Sequence, residues 1–316
     1  MSMLVLAALL LDLLVGDPRR LPHPVVLMGA LIKKGERLIR RLAGSPGALR
    51  LGGVLLVISL CALAYGVTKG LICLASLLHP WLGLAVHLWL LATTLAVKSL
   101  YQHAVAVAQP LARGDLATAR QKVALIVGRD CDNLNHQEVT RAAVETVAEN
   151  TVDGIVSPLF YAFIGGAPLA MVYKAINTLD SMIGHRHEAY VHLGWAAARL
   201  DDLANYLPAR LAGVCYALLS PAYPGGFTAT VRAMLHDAPA HPSPNSGIPE
   251  AAVAGALGIQ LGGINYYQGQ PSYRASLGQA KYPLTYRHIY QALHLTWGVT
   301  ALTALAGGLA GYLFAG

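Results

Sequence analysis

Two runs of almost uninterrupted apolar sequence, Gly52–Leu78 and Trp81–Val97, flank His79-Pro80 and predict a pair of membrane-spanning helices joined by a tight hairpin. A third run, Leu295–Phe314, predicts a last span. Met3–Val15 is apolar but falls short of the roughly 20 residues that a crossing needs. It is expected as a short first span or a half-buried helix. It lacks a basic start and contains Asp12, so a retained helix is expected rather than a signal peptide. Gly16, Pro18, Pro22 and Pro24 then break regular structure. Leu31–Leu42 follows, an amphipathic segment with Lys33, Lys34, Arg37, Arg40 and Arg41 that should lie on the membrane surface.

Beyond Val97 the pattern changes. Ser99–Val127 reads as one or two amphipathic helices, broken at Gln109-Pro110 and Gly114-Asp115. Ile155–Ile176 is apolar enough to cross, but a crossing would separate the acids that precede it from those that follow. A buried or re-entrant hairpin bent at Gly165-Gly166 keeps them together and is expected instead. Ser220–Ala251, rich in Pro, Gly, His and Ser, reads as an extended loop ordered by a ligand, and Leu261–Gly269 as a glycine-rich turn. The expected fold is all-α: a polytopic integral membrane protein with about four transmembrane helices, a cytoplasmic-side helical polar core and a re-entrant hairpin. One membrane domain, 1–316, would comprise N-terminal spans and a basic surface helix (1–98), a polar catalytic core (99–210), a Gly/Pro-rich loop region (211–294) and a C-terminal span (295–316).

Composition supports the membrane reading: 55% of residues are hydrophobic and 12% charged, against roughly 25% charged in soluble domains. Eight of the 23 Lys and Arg residues fall between Arg19 and Arg50, which places that loop in the cytoplasm of a cytoplasmic-membrane protein. The net charge of +7 is thus a topology signal. No basic run interleaves with aromatics, so no nucleic-acid partner is expected. Cys61, Cys73, Cys131 and Cys215 form no C-x-x-C, which argues against a disulfide framework or zinc site.

Ten of the sixteen acids lie between Val127 and Arg210. On a helical wheel Glu138, Arg141, Glu145 and Glu149 span roughly 80°. Lys174, Asn177, Thr178, Asp180 and Ser181 share one half of the next helix, and Arg199, Asp201, Asp202 and Asn205 one half of the third. Such faces are either solvated surface or the walls of a shared polar cavity. Short Asp, Asn, Ser and Thr on Ala- and Gly-rich helices favour the cavity. It would suit Mg²⁺ and phosphate, with Asp201-Asp202-x-x-Asn205 as the metal motif and Arg199 and Arg210 as phosphate partners or as neutralisers of the same acids. The alternative for Asp201-Asp202 is a helix-terminal charge pair. His185, His187 and His192 read as surface histidines more readily than as zinc ligands. No P-loop, Rossmann turn or nucleophile elbow occurs.

The strings VGRD, RAAVETVAENTVDGIVSPLFYAFIGGAPLAMVYKAINTLDSMIGHR, GWAAARLDDLANYLPARL and HPSPNSGIPEAAVAGALGIQLGG, with the opening LLDLLVGDPRRLPHPVVLMG, closely resemble the adenosylcobinamide-phosphate synthase family of cobalamin biosynthesis. The resemblance runs through nearly the whole chain. It implies an amide ligase that joins adenosylcobyric acid to (R)-1-aminopropan-2-ol O-phosphate, or a related amino alcohol, with ATP and Mg²⁺, through an acyl phosphate. Residue chemistry then gives expected roles. Glu149, Asp201 and Asp202 would hold Mg²⁺; Lys174, Arg199 and Arg210 would offset phosphate charge; Glu145 or Asp153 would take the proton of the attacking ammonium. Asp180 is a further catalytic candidate, and Arg141, Asn150, Asn177, Ser181 and Asn205 are substrate-binding candidates. Ser243, Asn245 and Gly247 would close over the corrinoid or else serve simple turn chemistry. The rival readings are a non-catalytic sensor or scaffold of the same fold and a transporter of cobalt or corrinoid. The few spans leave room for self-association or for other late-pathway membrane enzymes alongside.

Overall fold

The computed structural model describes residues 1–16, 23–184 and 189–313. Its elements are α1 (Ser2–Val15), α2 (Pro24–Leu42), α3 (Pro46–Leu78), α4 (Pro80–Ala92), α5 (Val97–Ala112), α6 (Leu116–Val123), α7 (His136–Thr151), a π-helical turn (Val152–Val156) and α8 (Ser157–Ile183). Then come α9 (Trp195–Ala204), α10 (Tyr206–Leu219), α11 (Gly226–His236), α12 (Gly247–Leu257), an antiparallel hairpin of β1 (Leu261–Tyr267) and β2 (Gln270–Leu277), and α13 (Tyr286–Leu313).

Four helical stretches are long and apolar enough to cross a membrane: Pro46–Leu78, Pro80–Ala112, His136–Ile183 and Tyr286–Leu313. The expected number stands, but its membership differs. At 14 residues α1 reaches about 21 Å, short of the bilayer core, and the stretch through α7 and α8 joins in its place. Leu51, Leu55, Ile58, Leu63, Leu71 and Leu74 are exposed along α3, as lipid-facing positions require.

The chain forms two compact units. The first takes Met1–Ala96, Ser157–Asn205 and Ala306–Gly316. Here α3 packs against α4, α8 and α9, and α2 against α3 and α8. Proline opens α2, α3 and α4, because a helix's first N–H groups lack an intrahelical acceptor and lose nothing when one is missing. His23, Ser45 and His79 cap these helices by accepting the N–H of Val25, Ala48 and Trp81. The break expected at Pro24 is therefore a helix start, and α2 is longer than the segment from Leu31. The expected bend in α8 is present at Gly165 and Gly166, with φ −140° and 64°. His87 Nε2 of α4 accepts the Ala167 N–H just past the bend at 3.0 Å, satisfying a donor that would otherwise be stranded among apolar side chains.

The second unit takes Val97–Val156 and Tyr206–Leu305. Its centre is α12, where Ala251, Ala252, Val253, Ala254 and Ala256 are fully buried, packed on α7, α10 and α11. An all-round small and apolar helix has no solvent face to offer. The loop expected over Ser220–Ala251 is thus mostly helical. Pro221, Pro224 and Pro249 sit before α11 or in the first turn of α12, where proline is tolerated. The break expected at Gln109-Pro110 is also absent. Pro110 lies in the last turn of α5, and the chain turns at the other expected break, Gly114-Asp115, where Gly114 has φ 76° and Asp115 caps α6. The turn expected at Leu261–Gly269 is a strand and reversal: Gln268 and Gly269 both have positive φ, 51° and 77°, as a two-residue hairpin turn requires.

Candidate functional site

Each unit contains a buried polar cluster among its described residues. In the first, α8 and α9 bring together Asn177, Asp180, Asp201, Asp202 and Asn205. Asn205, 1% exposed, is the hub: its Oδ1 accepts from Ser157 Oγ at 2.6 Å and Tyr173 OH at 2.9 Å, while its Nδ2 donates to Asp201 Oδ2 at 3.0 Å. Tyr161 stacks on Tyr173, ring centroids 5.3 Å apart, and donates to Ala204 O, closing the apolar side. Asp201 Oδ1 is buried with no hydrogen-bond partner. Burial first, then the adjacent Asp180, push the Asp201 carboxyl up to about 7, against hydrogen bonds from Asn205 and Asn177 that favour its ionised form. Lys174 and Ser181 are on α8, where Ser181 Oγ bonds back to Asn177 O, and Arg199 is exposed on α9. His192 is exposed; His185 and His187 lie outside the described residues.

The second cluster forms where α7 meets β1. Arg129 Nη2 donates to Glu145 Oε2 at 2.5 Å, with both side chains 6% exposed, and Gly262 N–H donates to Glu145 Oε1 at 2.8 Å. Arg129 also donates to Asn265 Oδ1, which accepts from Arg141 Nη2 at 3.0 Å; Arg141 reaches Ile264 O at 2.8 Å as well. This close approach depends on Gly262 and Gly263, whose φ of 80° and 90° create a bulge that a side chain would strain. Asp130 accepts the N–H groups of Gln268 and Gly269 and donates its own N–H to Tyr266 O. The VGRD string is therefore the clamp on the hairpin.

A second layer of acids adjoins this clamp. Glu149 accepts from Ser246 Oγ at 3.0 Å. Glu250, 1% exposed, has its carboxyl raised well above the usual range by burial, then by Glu145 and Glu149. His241 Nε2 lies 3.7 Å from Glu250 Oε1, and burial holds its imidazole below the usual value, so both shifts disfavour an ionic pair. Arg274 goes the other way: burial would lower it, but Tyr267, Glu250, Glu149 and Glu145 outweigh that and strengthen its cation.

The remaining candidates take local roles. Asn150 Nδ2 bonds back to Thr146 O. Ser243 Oγ accepts the N–H groups of Asn245 and Ser246, the turn chemistry weighed for it above. Gly247 starts α12 where a side chain would meet Ala238 O and His241. Arg210 donates to Asn245 Oδ1 at 2.9 Å and lies over the Tyr206 ring at 3.5 Å. Asp153 sits in the π-helical turn, a distortion that recurs at functional sites. The structure thus joins Asp201 with Asp180 and Asn205 in one unit, and Glu145 with Arg141 in the other. Among the described residues no group of three or more His, Cys, Asp or Glu is arranged around a common metal position.

Residues 5–296 match the family described as CobD/Cbib protein. The chain belongs to the CobD/CbiB family. It is 50% identical over 301 residues to the cobalamin biosynthesis protein CobD of Geobacter metallireducens, covering 95% of this chain and 94% of that one. It is 47% identical to the CobD of Klebsiella pneumoniae subsp. pneumoniae, covering 93% and 92%. To the cobalamin biosynthesis protein CbiB of Salmonella typhimurium it is 45% identical, covering 95% and 93%. No solved structure matches it significantly.

In this CobD/CbiB chain several cluster members escaped sequence reading: Arg129, Asn265, His241, Glu250 and Arg274. The first four stand in strings that look unusual for an apolar chain (VGRD, GGINYY, HPSPNSGIPE), and that local signal could have flagged them. Arg274 has no such context. Nothing in sequence spacing joins Arg129 to Asn265, 136 positions later.

Proposed function

We propose that this protein condenses the propionate carboxylate of adenosylcobyric acid with the amine of (R)-1-aminopropan-2-ol O-phosphate, or a related amino alcohol, giving adenosylcobinamide phosphate at the expense of ATP. The observation that carries the reading is identity of 45% or more, over at least 93% of this chain, to proteins named for cobalamin biosynthesis. The work would be done in the cytoplasmic membrane, with the active site facing the cytoplasm.

A carboxylate is a poor electrophile. In the route we favour, its oxygen takes the terminal phosphoryl group of ATP, ADP leaves, the amine nitrogen attacks the acyl carbon, and phosphate departs. The first cluster fits Mg²⁺: Asp201 has a buried oxygen without a partner beside Asp180, and a cation or a proton must offset that charge. Mg²⁺ needs only one or two carboxylates together with substrate phosphates, so a full protein cage is not required. When bound it would neutralise phosphate charge, with Asp201 and Asp202 as its holders and Lys174 and Arg199 adding positive charge. Glu149 is the other candidate holder from the sequence, and in the second unit it is engaged by Ser246.

Proton removal from the attacking ammonium falls to Asp153 rather than Glu145. Both oxygens of Glu145 are occupied, by Arg129 and by Gly262 N–H, so we read it as the group that fixes β1 against α7. Asn177 and Asn205 would position substrate in the first cluster.

The test is purified protein in detergent with adenosylcobyric acid, aminopropanol phosphate and Mg-ATP, followed by ADP release and product mass. The expected result is corrinoid-dependent ADP and a product heavier by the phosphorylated amino alcohol less water. Corrinoid binding without ADP or product would overturn the ligase reading.

A further inference from the structure

The second unit holds a cavity of about 360 Å³ that none of the roles above uses. It lies between α11, α12 and the chain after β2. Its floor is Gly225, Gly255, Gly258 and Gly278, where added side chains would run into backbone carbonyls, Ala254 or the Tyr282 ring. These glycines let α11 pack directly on α12 and on the segment after β2, and the cavity opens beside that close packing.

The walls carry positive charge. Thr228, Arg232 and His236 recur every four residues along one face of α11, and Lys281 lines the cavity from the segment after β2. Arg232, His236 and Lys281 are exposed, and none is in an ion pair among the described residues. The one acid in the lining, Asp237, has Oδ2 committed to the Gly278 N–H at 2.8 Å. α11 also starts at the cavity: Gly225 and Thr228 belong to its first turn, which has no side-chain cap; the Gly225 and Gly226 N–H groups donate to Ala256 O and Tyr223 O, so what the helix start adds to the two basic side chains is the positive end of its dipole.

We propose that this cavity binds a phosphate monoester. Such a group carries about −1.5 to −2 charge and three acceptor oxygens near neutral pH, which suits an Arg, a Lys and an uncapped helix start. The choice of ligand rests on the proposed function, which supplies two phosphate-bearing substrates: a phosphorylated amino alcohol, and ATP through its terminal phosphate.

The experiment is calorimetric titration of the full chain in detergent, without corrinoid, using ethanolamine phosphate, unphosphorylated ethanolamine and ATP. Wild type, Arg232→Gln and Lys281→Gln are compared; both residues are exposed, so the variants should fold. Expected are binding of ethanolamine phosphate or ATP, none of ethanolamine, and about ten-fold weaker binding in each variant. Which of the two ligands shows the loss assigns the substrate. Unchanged affinity in both variants would overturn the proposal, as would a loss confined to binding of phosphatidylglycerol vesicles, whose headgroup is a phosphodiester. No turnover enters this readout. Variant-sensitive binding in a protein that makes no product would leave the cavity standing and sink the ligase reading; product formed with the KM of both substrates unchanged in both variants would do the reverse.

Discussion

The two buried polar clusters solve the same electrostatic problem differently. Around Glu145 every strong charge is answered: Arg129 and a backbone N–H take both oxygens, and Asn265 accepts from two arginines. Around Asp201 the amides of Asn205 and Asn177 donate hydrogen bonds, Asp180 lies beside it, and Asp201 Oδ1 accepts no hydrogen bond among the described residues. A network whose charges are answered holds elements in place, even though Asn265 Nδ2 and His241 Nε2 there make no hydrogen bond. An unsatisfied one stores an unfavourable charge that a ligand can relieve. On the proposed function, the first kind serves structure and the second serves chemistry.

The largest stability effect should follow from breaking the satisfied cluster. Arg129→Ala leaves Glu145 buried without its cation, at a cost of about 3–5 kcal/mol, visible as a large drop in thermal unfolding temperature in detergent. Substituting both, Arg129→Met with Glu145→Leu, should recover much of that loss; no recovery would mean that the pair does more than compensate charge. Next in size is the bend in α8. Gly166→Ala forces a side chain into a left-handed conformation and against His87, for about 2 kcal/mol by the same measurement. A variant as stable as wild type would show that the bend does not anchor the first cluster's helix.

The effect with the smallest change per step concerns pH. Glu250 has a raised folded-state pKa, so the native state holds a proton that the unfolded chain releases above its ordinary value of about 4.5. Stability therefore falls as pH rises through the window between those two values, by up to about 1.4 kcal/mol per pH unit. Glu250→Gln cannot release that proton, and its unfolding temperature should decline less from pH 5 to pH 8. An identical decline in both proteins would show that Glu250 is ionised in the fold.

Much of the membrane architecture was legible because its signals are local. His79-Pro80 marks a turn between two apolar runs, and Gly165-Gly166 the only place in its run where the backbone could reverse. What escaped depends on position within an element. Pro24 and Pro249 read as breakers yet fall in first turns, so α2 was shortened and α12 lost in a loop. Half of the site was legible for a similar reason: Asp201 and Asn205 lie four residues apart on one helix, and the wheel brings them together. The Arg129–Glu145–Asn265 clamp is assembled by tertiary contact through a glycine bulge, which no periodicity announces. Residue chemistry alone leaves Glu145 beside Asp153 as a candidate base; only the tertiary contacts show that both of its oxygens are engaged.

The most direct test of this contrast is corrinoid-dependent ADP release by Asp201→Asn protein, run beside its thermal unfolding. Removing an unanswered buried charge should leave the unfolding temperature equal to or above that of wild type, while ADP release falls about a hundred-fold or more. Normal ADP release, or a loss of activity that merely tracks unfolding, would contradict the assignment of chemistry to the Asp201 cluster.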